Sequence, residues 1–357
     1  MTSVLGMSPR PAGIHPVTTP ITSRHVRALV LSRAGSASLS PQLRSTIENL
    51  AQVRYVVPRN APTPRGAAAL LADVQVLATT NATLPQFDSE LLAACPDLRA
   101  VVLYATGYEH LDLHALADHG VTVSVLPSYA TRAVAEHALA MIFSMSARVH
   151  LAHDRSRGAV APQTSLRGVE LGGRTLGIIG LGRIGGTLAT MARGVGMRVV
   201  GCDLDPGAVA AGRGAGLTML DHHDLLAASD VVAVCASTDP AVAPILDRQA
   251  IASLRPGSFV ANVGRPCLVD TTAMVAAIRG GCVRGYAVDD VVLDPDIDGD
   301  LLAEGRVLQT GHSAWWRDEV LTRGAQMFGA ALLAAVRGEP TDVVTPDAHL
   351  TRLAAVG

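Results

Sequence analysis

Thr175–Asp203 reads TLGIIGLGRIGGTLATMARGVGMRVVGCD, and this stretch decides the fold. An apolar run ends in the glycine pattern GLGRIG, a helical pattern follows, and a second apolar run ends in an acid. Gly180 permits a tight turn from strand to helix, Gly182 lets the backbone approach a pyrophosphate, and Gly185 lets the helix pack on its strand. The N-terminus of that helix points its N–H groups at the phosphates. The stretch therefore predicts a dinucleotide site in a βαβ unit.

The acid that closes this stretch indicates which dinucleotide is bound. Asp203 lies eighteen residues after Gly185, where a carboxylate can accept both ribose hydroxyls of NAD and would repel a 2′-phosphate. A GxGxxG pattern alone is a weak signal in a chain with 34 glycines, but here the strand, the helix spacing and the acid agree. We therefore expect NAD as the cofactor, held by Gly180, Gly182, Arg183, Ile184, Gly185 and Asp203.

The bulk composition excludes several classes of function. The 357 residues carry a net charge of −2, which gives no reason to expect a nucleic acid or an anionic membrane as partner. All 29 residues counted as Lys or Arg are arginine, which excludes a Schiff-base lysine and a P-loop lysine. The five cysteines are scattered without CxxC spacing, so we expect neither a metal site nor a disulfide framework. No apolar run reaches the roughly 20 residues of a membrane span, and we expect a cytoplasmic protein.

Short apolar runs and helical patterns alternate along the chain from Val26 onward. Such alternation predicts parallel sheets that are covered by helices on both faces. We expect two open α/β domains with a cleft between them, a flavodoxin-like substrate domain and a Rossmann dinucleotide-binding domain. The expected boundaries are a disordered leader over 1–24, a substrate domain over 25–123 plus 318–357, and an NAD-binding domain over 124–317.

Two further segments have distinct patterns. A long helix with an apolar face is predicted over Thr131–Arg148. The polar segment Ala152–Arg167 contains Gly and Pro and lacks periodicity, so we expect it to cross the surface without regular structure.

Chemically capable side chains follow three predicted strands of the second domain. Arg265 follows one strand, Asp289 and Asp294 follow the next, and His312 follows the last. Because the carboxyl ends of parallel strands meet at one edge of a sheet, we expect these residues to converge beside the glycine loop. Arginine can hold a carboxylate in a bidentate fork, and imidazole exchanges protons near neutral pH. The grouping suits hydride transfer to or from a carbonyl that lies next to a carboxylate.

Several ordered motifs resemble the D-2-hydroxyacid dehydrogenase family, most closely the branch with glycerate and glyoxylate reductases and the C-terminal-binding-protein corepressors. The resemblance covers roughly Ala93–Phe328. Besides the glycine stretch, its motifs are TGYEHLD at Thr106–Asp112, TRAVAEH at Thr131–His137, LLAASDV at Leu225–Val231, NVGRPCLVD at Asn262–Asp270, GYAVD at Gly285–Asp289 continuing to Asp294–Pro295, and TGHSAW at Thr310–Trp315.

The resemblance implies roles for individual residues. Arg265 takes the place of the arginine that binds the substrate, His312 that of the acid/base, and Asp294 that of the carboxylate that supports the histidine. The implied substrate contacts are Gly107, Tyr108, Arg265 and Trp315. The implied contacts to the cofactor, in addition to the glycine loop, are Thr131, Cys235, Val263 and Asp289. The resemblance also implies a homodimer formed through the helix Thr131–Arg148 and its neighbours, and the apolar face of that helix is consistent with it.

Departures from the family pattern leave alternatives open. Asp294 stands where the family usually has glutamate, Pro266 replaces the glycine after the arginine, and Gly311 replaces the proline before the histidine. Asp294 also fits a solvated acidic turn. We expect an NAD-dependent oxidoreductase that acts on C2 of a small D-2-hydroxy or 2-oxo acid. One alternative is an NAD(H)-sensing, corepressor-like binding protein with little turnover, and another is a dehydrogenase of a donor such as phosphite or formate.

Overall fold

A computed structural model describes residues 26–237 and 244–346, so the expected leader over 1–24 lies outside the described residues. The contacts of the described chain divide it into two compact units. The first comprises residues 26–105, 112–126 and 325–346, and the second comprises residues 106–111, 127–237 and 244–324. The short loop that carries Gly107 and Tyr108 therefore belongs to the second unit by its contacts.

The first unit contains a parallel sheet of five strands in the order β2-β1-β3-β4-β5. This is the flavodoxin-like order of a doubly wound sheet, as expected from the alternation of strands and helices. The strands are β1 (Val26–Leu31), β2 (Ala51–Val56), β3 (Val76–Thr79), β4 (Ala100–Leu103) and β5 (Thr122–Ser124). The helices are α1 (Pro41–Glu48), α2 (Pro64–Leu71), α3 (Ser89–Ala94) and α4 (Leu113–Asp118).

The second unit contains a parallel sheet of seven strands in the order β12-β11-β10-β9-β6-β7-β8. Its strands are β6 (Thr175–Ile179), β7 (Arg198–Cys202), β8 (Thr218–Met219), β9 (Val231–Val234), β10 (Ser258–Asn262), β11 (Val283–Val288) and β12 (Val307–Gln309). Its helices are α5 (Thr131–Ala147), α6 (Val149–Ser156), α7 (Arg183–Gly194), α8 (Pro206–Gly214), α9 (His222–Ala228), α10 (Arg248–Ala252), α11 (Thr271–Arg279) and α12 (Pro295–Ala303). A last helix, α13 (Asp318–Arg337), runs from this unit into the residues of the first. Across the two described ranges, none of the helices is long and apolar enough to cross a membrane.

The seven-stranded sheet is buried on both faces, which explains its continuous apolar strands. In β9, Val231 and Ala233 join the core cluster that includes residues of α5 and α7. Their neighbours Val232 and Val234 join the cluster that includes residues of α9, α10 and α11. Because successive side chains of a strand point to opposite faces, a strand covered on both sides must be apolar at every position.

The expectation of an irregular surface segment over Ala152–Arg167 is wrong for its first part, because α6 extends to Ser156. Arg148 adopts a left-handed backbone conformation with φ 56°, which ends α5 and lets the chain start a new helix at once. Among the described side chains of α6, Leu151 alone is buried, so the helix carries too little apolar periodicity to be recognised from the sequence.

Candidate functional site

Six candidate residues follow six neighbouring strands of the second sheet and therefore lie at its carboxyl edge. Across the sheet from β12 to β7 their order is His312, Asp289, Arg265, Cys235, Gly180 and Asp203. His312 and Arg265, the candidates for proton transfer and carboxylate binding, thus lie in one half of the edge on either side of Asp289. The other half holds Cys235, Gly180 and Asp203, all predicted cofactor contacts. The strand order reverses between β9 and β6, which is where ligands bind in open α/β sheets.

The glycine loop has the geometry that a dinucleotide requires. Gly180 has φ 90°, and a Cβ there would lie 2.6 Å from the backbone nitrogen of Ala236. A Cβ on Gly185 would overlap the carbonyl oxygen of Gly180, so glycine lets α7 lie this close to the loop. A Cβ on Gly182, in contrast, would meet no described atom within 4 Å. This open space at the N-terminus of a 12-residue helix fits a pyrophosphate.

The carboxylate of Asp203 braces the same loop. Its Oδ2 accepts a hydrogen bond from the backbone N–H of Leu181 at 2.6 Å, and its Oδ1 accepts one from Asp205 at 2.9 Å. Each carboxylate oxygen can accept a second hydrogen bond, so the group can still take ribose hydroxyls. The fixed negative charge fits NAD and opposes a 2′-phosphate.

The other predicted contacts to the cofactor lie around this edge. Burial raises the pKa of the Cys235 thiol to about 12, so the thiol stays protonated at neutral pH and is no nucleophile. Val263 is buried after β10, and its N–H donates to the carbonyl oxygen of Val234 at 3.1 Å. Thr131 begins α5, Ile184 packs against the core, and Arg183 Nε donates to the carbonyl oxygen of Pro127 at 3.0 Å.

Arg265 is already paired with a carboxylate of the chain itself. Its Nε donates to Oε1 of Glu109, and its Nη1 donates to the carbonyl oxygen of Gly264 at 3.1 Å. A Cβ on Gly107 would overlap Nη2 of Arg265, so glycine at this position leaves room for the guanidinium. Burial raises the pKa of the Glu109 carboxyl, but the hydrogen bond from Arg265, a backbone hydrogen bond and the positive charge of Arg265 together outweigh it, so the net pKa lies below the ordinary value. Glu109 is therefore ionised at neutral pH.

Sequence reasoning did not single out Glu109 as a partner of Arg265. The only signal was its position in TGYEHLD, directly after the predicted substrate contacts Gly107 and Tyr108. Tyr108 is 36% exposed, so its side chain is accessible to a ligand.

His312 lies in an unusual turn. Gly311 has φ 61° and His312 has φ 57°, so two successive residues are left-handed. Proline cannot adopt φ 61°, and the replacement of the family's proline by Gly311 thus permits a different backbone conformation here. The His312 side chain is 53% exposed, and its Nδ1 lies 3.9 Å from Oδ2 of Asp290. Trp315 packs edge to face on Trp316, with ring centroids 4.9 Å apart.

Asp289 holds the turn that carries His312. Its Oδ1 accepts hydrogen bonds from the hydroxyl of Thr310 at 2.7 Å and from the N–H of Ser313 at 2.8 Å. Its Oδ2 accepts one from the N–H of Ala314 at 3.1 Å. These bonds give the carboxylate a structural role, and its contact with the cofactor stays a prediction.

His137, from TRAVAEH, completes this network from α5. Its Nε2 lies 2.9 Å from the hydroxyl oxygen of Thr310 and 3.6 Å from Oδ1 of Asp289, and Arg317 Nη2 lies 3.0 Å from its Nδ1. Because a guanidinium can only donate, Nδ1 accepts, and the proton of the neutral ring lies on Nε2. Burial lowers the pKa of His137 despite the carboxylate of Asp289, which agrees with a neutral ring.

The structure shows no direct ion pair between Asp294 and His312, and the support of His312 by Asp294 stays a prediction. Asp294 is the N-cap of α12, and its Oδ1 accepts the N–H of Asp296 at 2.9 Å. In the part of the chain that the structure describes, the carboxylate within ion-pair distance of His312 is that of Asp290. The physical reason is local, because Asp followed by Pro is a strong helix start that turns the carboxylate toward its own backbone.

Comparisons with known proteins agree with this geometry. The family model for the D-isomer specific 2-hydroxyacid dehydrogenase, NAD binding domain, matches residues 139–314. The D-3-phosphoglycerate dehydrogenase of Mycobacterium tuberculosis (strain ATCC 25618 / H37Rv) is 31% identical over 303 residues, which cover 84% of this chain and 56% of that protein. The chain thus spans little more than half the length of that relative. The D-lactate dehydrogenase of Escherichia coli (strain K12) is 30% identical over 264 residues, which cover 69% of this chain and 79% of that protein.

A solved structure shares the fold over nearly the whole chain. The apo-structure of D-lactate dehydrogenase from Escherichia coli matches with a TM-score of 0.72 and 25% sequence identity, over 90% of this chain and 99% of that one. Motif order, fold and sequence similarity agree. The chain belongs to the D-isomer specific 2-hydroxyacid dehydrogenase family, and residues 139–314 match its NAD-binding domain.

Proposed function

We propose that the protein is an NAD-dependent oxidoreductase that acts on C2 of a small D-2-hydroxy or 2-oxo acid. The observation that carries this proposal is the order of residues along the carboxyl edge of the second sheet. A proton donor, a guanidinium, the glycine loop and the ribose-binding acid follow one another there. The two curated relatives named above also act, by their names, on acids that carry a hydroxyl next to a carboxylate.

The side chains at this edge would bind the substrate and transfer the proton, while the cofactor supplies the hydride chemistry. Bound NAD would supply or accept the hydride. Arg265 would hold the substrate carboxylate and polarise the neighbouring oxygen. His312 would protonate the C2 oxygen during reduction and take that proton back during oxidation. The carboxylate of Asp290 would stabilise the protonated imidazole from its position 3.9 Å from Nδ1.

The experiment that tests this function is NADH consumption with a panel of 2-oxo acids, including glyoxylate, hydroxypyruvate and longer members. We expect turnover with at least one of them and its loss in Arg265→Leu. Tight NADH binding without turnover on any of them would favour the NAD(H)-sensing alternative. Turnover of phosphite or formate alone would favour the other alternative.

We predict that Asp203→Asn weakens the preference for NADH over NADPH. The amide retains an oxygen that can accept the N–H of Leu181, so the loop keeps one of its hydrogen bonds. The charge that repels a 2′-phosphate is lost. We expect the ratio of NADH to NADPH affinity to fall by about tenfold, which corresponds to ~1.4 kcal/mol. Fluorescence titration with each cofactor measures the ratio, and an unchanged ratio would remove Asp203 from the specificity site.

We predict that His137 positions the turn of His312 without touching the substrate. His137→Leu deletes the bonds to Thr310 and Arg317, and we expect kcat to fall by about 10- to 100-fold because small displacements of an acid/base are costly. Gln can donate to Thr310 and accept from Arg317, so His137→Gln should restore most of kcat. Equal loss in both variants would show that the ring itself is required.

Two expectations that concern the whole protein stay predictions and belong to this proposal. We propose a homodimer through the region of α5 and α6, where Phe143 and Val149 are 40% and 61% exposed. Size-exclusion chromatography with light scattering tests it, because Phe143→Glu should then yield monomers. The cytoplasmic location also stays a prediction.

A further inference from the structure

The carboxylate-binding candidate Arg265 is not free to receive a substrate as the structure stands. A guanidinium can hold a carboxylate along either of two edges, one formed by Nε and Nη2 and the other by Nη1 and Nη2. Glu109 takes the Nε donor, and the carbonyl oxygen of Gly264 takes Nη1. The edge of Nε and Nη2 therefore has one donor in use, and one of the two N–H groups of Nη1 is also taken. The side chains of Arg265 and Glu109 are only 30% and 24% exposed.

The charge of the site is neutralised as well. Glu109 is ionised at neutral pH, so its carboxylate cancels the positive charge that would attract an anionic acid. A second carboxylate cannot join the same guanidinium without close approach to the first, and like charges at such distances repel strongly. Two basic side chains lie near Glu109, Arg265 and His110, and burial lowers the pKa of the His110 imidazole. A neutral His110 gives a second carboxylate no compensating charge.

We propose that Glu109 is an internal competitor for Arg265, a carboxylate that occupies the guanidinium until the carboxylate of a 2-oxo acid displaces it. Glu109 then determines how tightly the protein binds its substrate, although it takes no part in hydride or proton transfer. This inference rests on the proposed function, because it assumes that Arg265 binds the substrate carboxylate. Its opposite is a positioning role, in which Glu109 holds Arg265 in place and helps the substrate to bind.

The experiment is a titration of oxamate, an unreactive isostere of a 2-oxo acid, into the complex with NADH, followed by nicotinamide fluorescence. Glu109→Gln keeps an oxygen that can accept from Nε but removes the charge. We expect it to bind oxamate about tenfold more tightly, the scale of one hydrogen bond to a charged group. The KM for the best 2-oxo acid should fall by a similar factor with kcat unchanged. The matched control is Glu136→Gln, which neutralises an acid in an exposed ion pair with Arg132 and should change neither value.

The outcomes separate this inference from the proposed function. If Arg265→Leu leaves oxamate binding intact, Arg265 does not bind the substrate carboxylate and its role in the proposed function is wrong. If Arg265→Leu abolishes oxamate binding while Glu109→Gln binds oxamate as tightly as the wild type or more weakly, only the proposal that Glu109 competes for Arg265 is overturned. The proposal of competition is also overturned if neither the wild type nor Glu109→Gln binds oxamate. The NADH affinity of each variant, measured in the same titration, shows that the protein is folded.

Discussion

His312→Asn should lower kcat/KM for the best 2-oxo acid by about 10²- to 10⁴-fold, the usual contribution of a general acid or base. NADH affinity and the free energy of unfolding should stay near the wild-type values. Asparagine is the right replacement because His312 has φ 57°, and asparagine tolerates the left-handed region better than alanine does. The side chain is 53% exposed, so its removal leaves no cavity in the core. Steady-state kinetics and fluorescence titration together check the prediction.

Two carboxylates provide the controls for this prediction. Asp290→Asn removes the charge 3.9 Å from His312, and kcat/KM should fall more in this variant than in Asp294→Asn. Asparagine is also a good N-cap, so Asp294→Asn should keep α12 intact and isolate the effect of its charge. A larger loss in Asp294→Asn would support the partner that the family resemblance implies, whose role stays a prediction. Undiminished turnover in His312→Asn would overturn the assignment of the acid/base.

The fold could be predicted from the sequence because its strongest signals are local. The glycine pattern, the helix after it and the acid at Asp203 lie within one stretch, and each has one physical purpose. The family, expected from motif order, and the two parallel-sheet domains, expected from the alternation of strands and helices, are confirmed. The rule that parallel strands end at one edge then brings Arg265, Asp289 and His312 to the same side of the sheet.

The pairing of side chains within the site could not be predicted in the same way. Glu109 and Arg265 are 156 positions apart, and His137 and Arg317 are 180 apart. No periodicity connects such distant residues, and only the three-dimensional structure shows which polar atoms meet. The local bond of Asp294 could not be predicted from its motif either. The motif implied a tertiary partner for this carboxylate, whereas in the structure the carboxylate accepts the backbone N–H of the nearby Asp296.

Alanine substitutions at Gly182, Gly185 and Gly186, which lie at the start of α7, should affect stability and NADH binding in three different ways. In Gly185→Ala the new Cβ would overlap the backbone oxygen of Gly180, which no side-chain rotation can relieve. We expect the free energy of unfolding to fall by about 1–3 kcal/mol and NADH binding to be lost with the loop geometry. In Gly186→Ala the nearest atom would be the carbonyl oxygen of Leu181 at 3.9 Å, an ordinary contact. This variant should gain about 0.5–1 kcal/mol of stability and bind NADH normally.

Gly182→Ala separates binding from folding. Its Cβ would enter space that is empty of described protein atoms, so the free energy of unfolding should stay within about 0.5 kcal/mol of the wild type. The same methyl group would occupy the position from which the backbone meets a pyrophosphate, and NADH affinity should fall by about 10- to 100-fold. Thermal unfolding without cofactor and NADH fluorescence titration measure the two effects independently. Wild-type NADH affinity in Gly182→Ala would mean that the pyrophosphate does not lie at the N-terminus of α7, and the dinucleotide site would have to be sought elsewhere along the sheet.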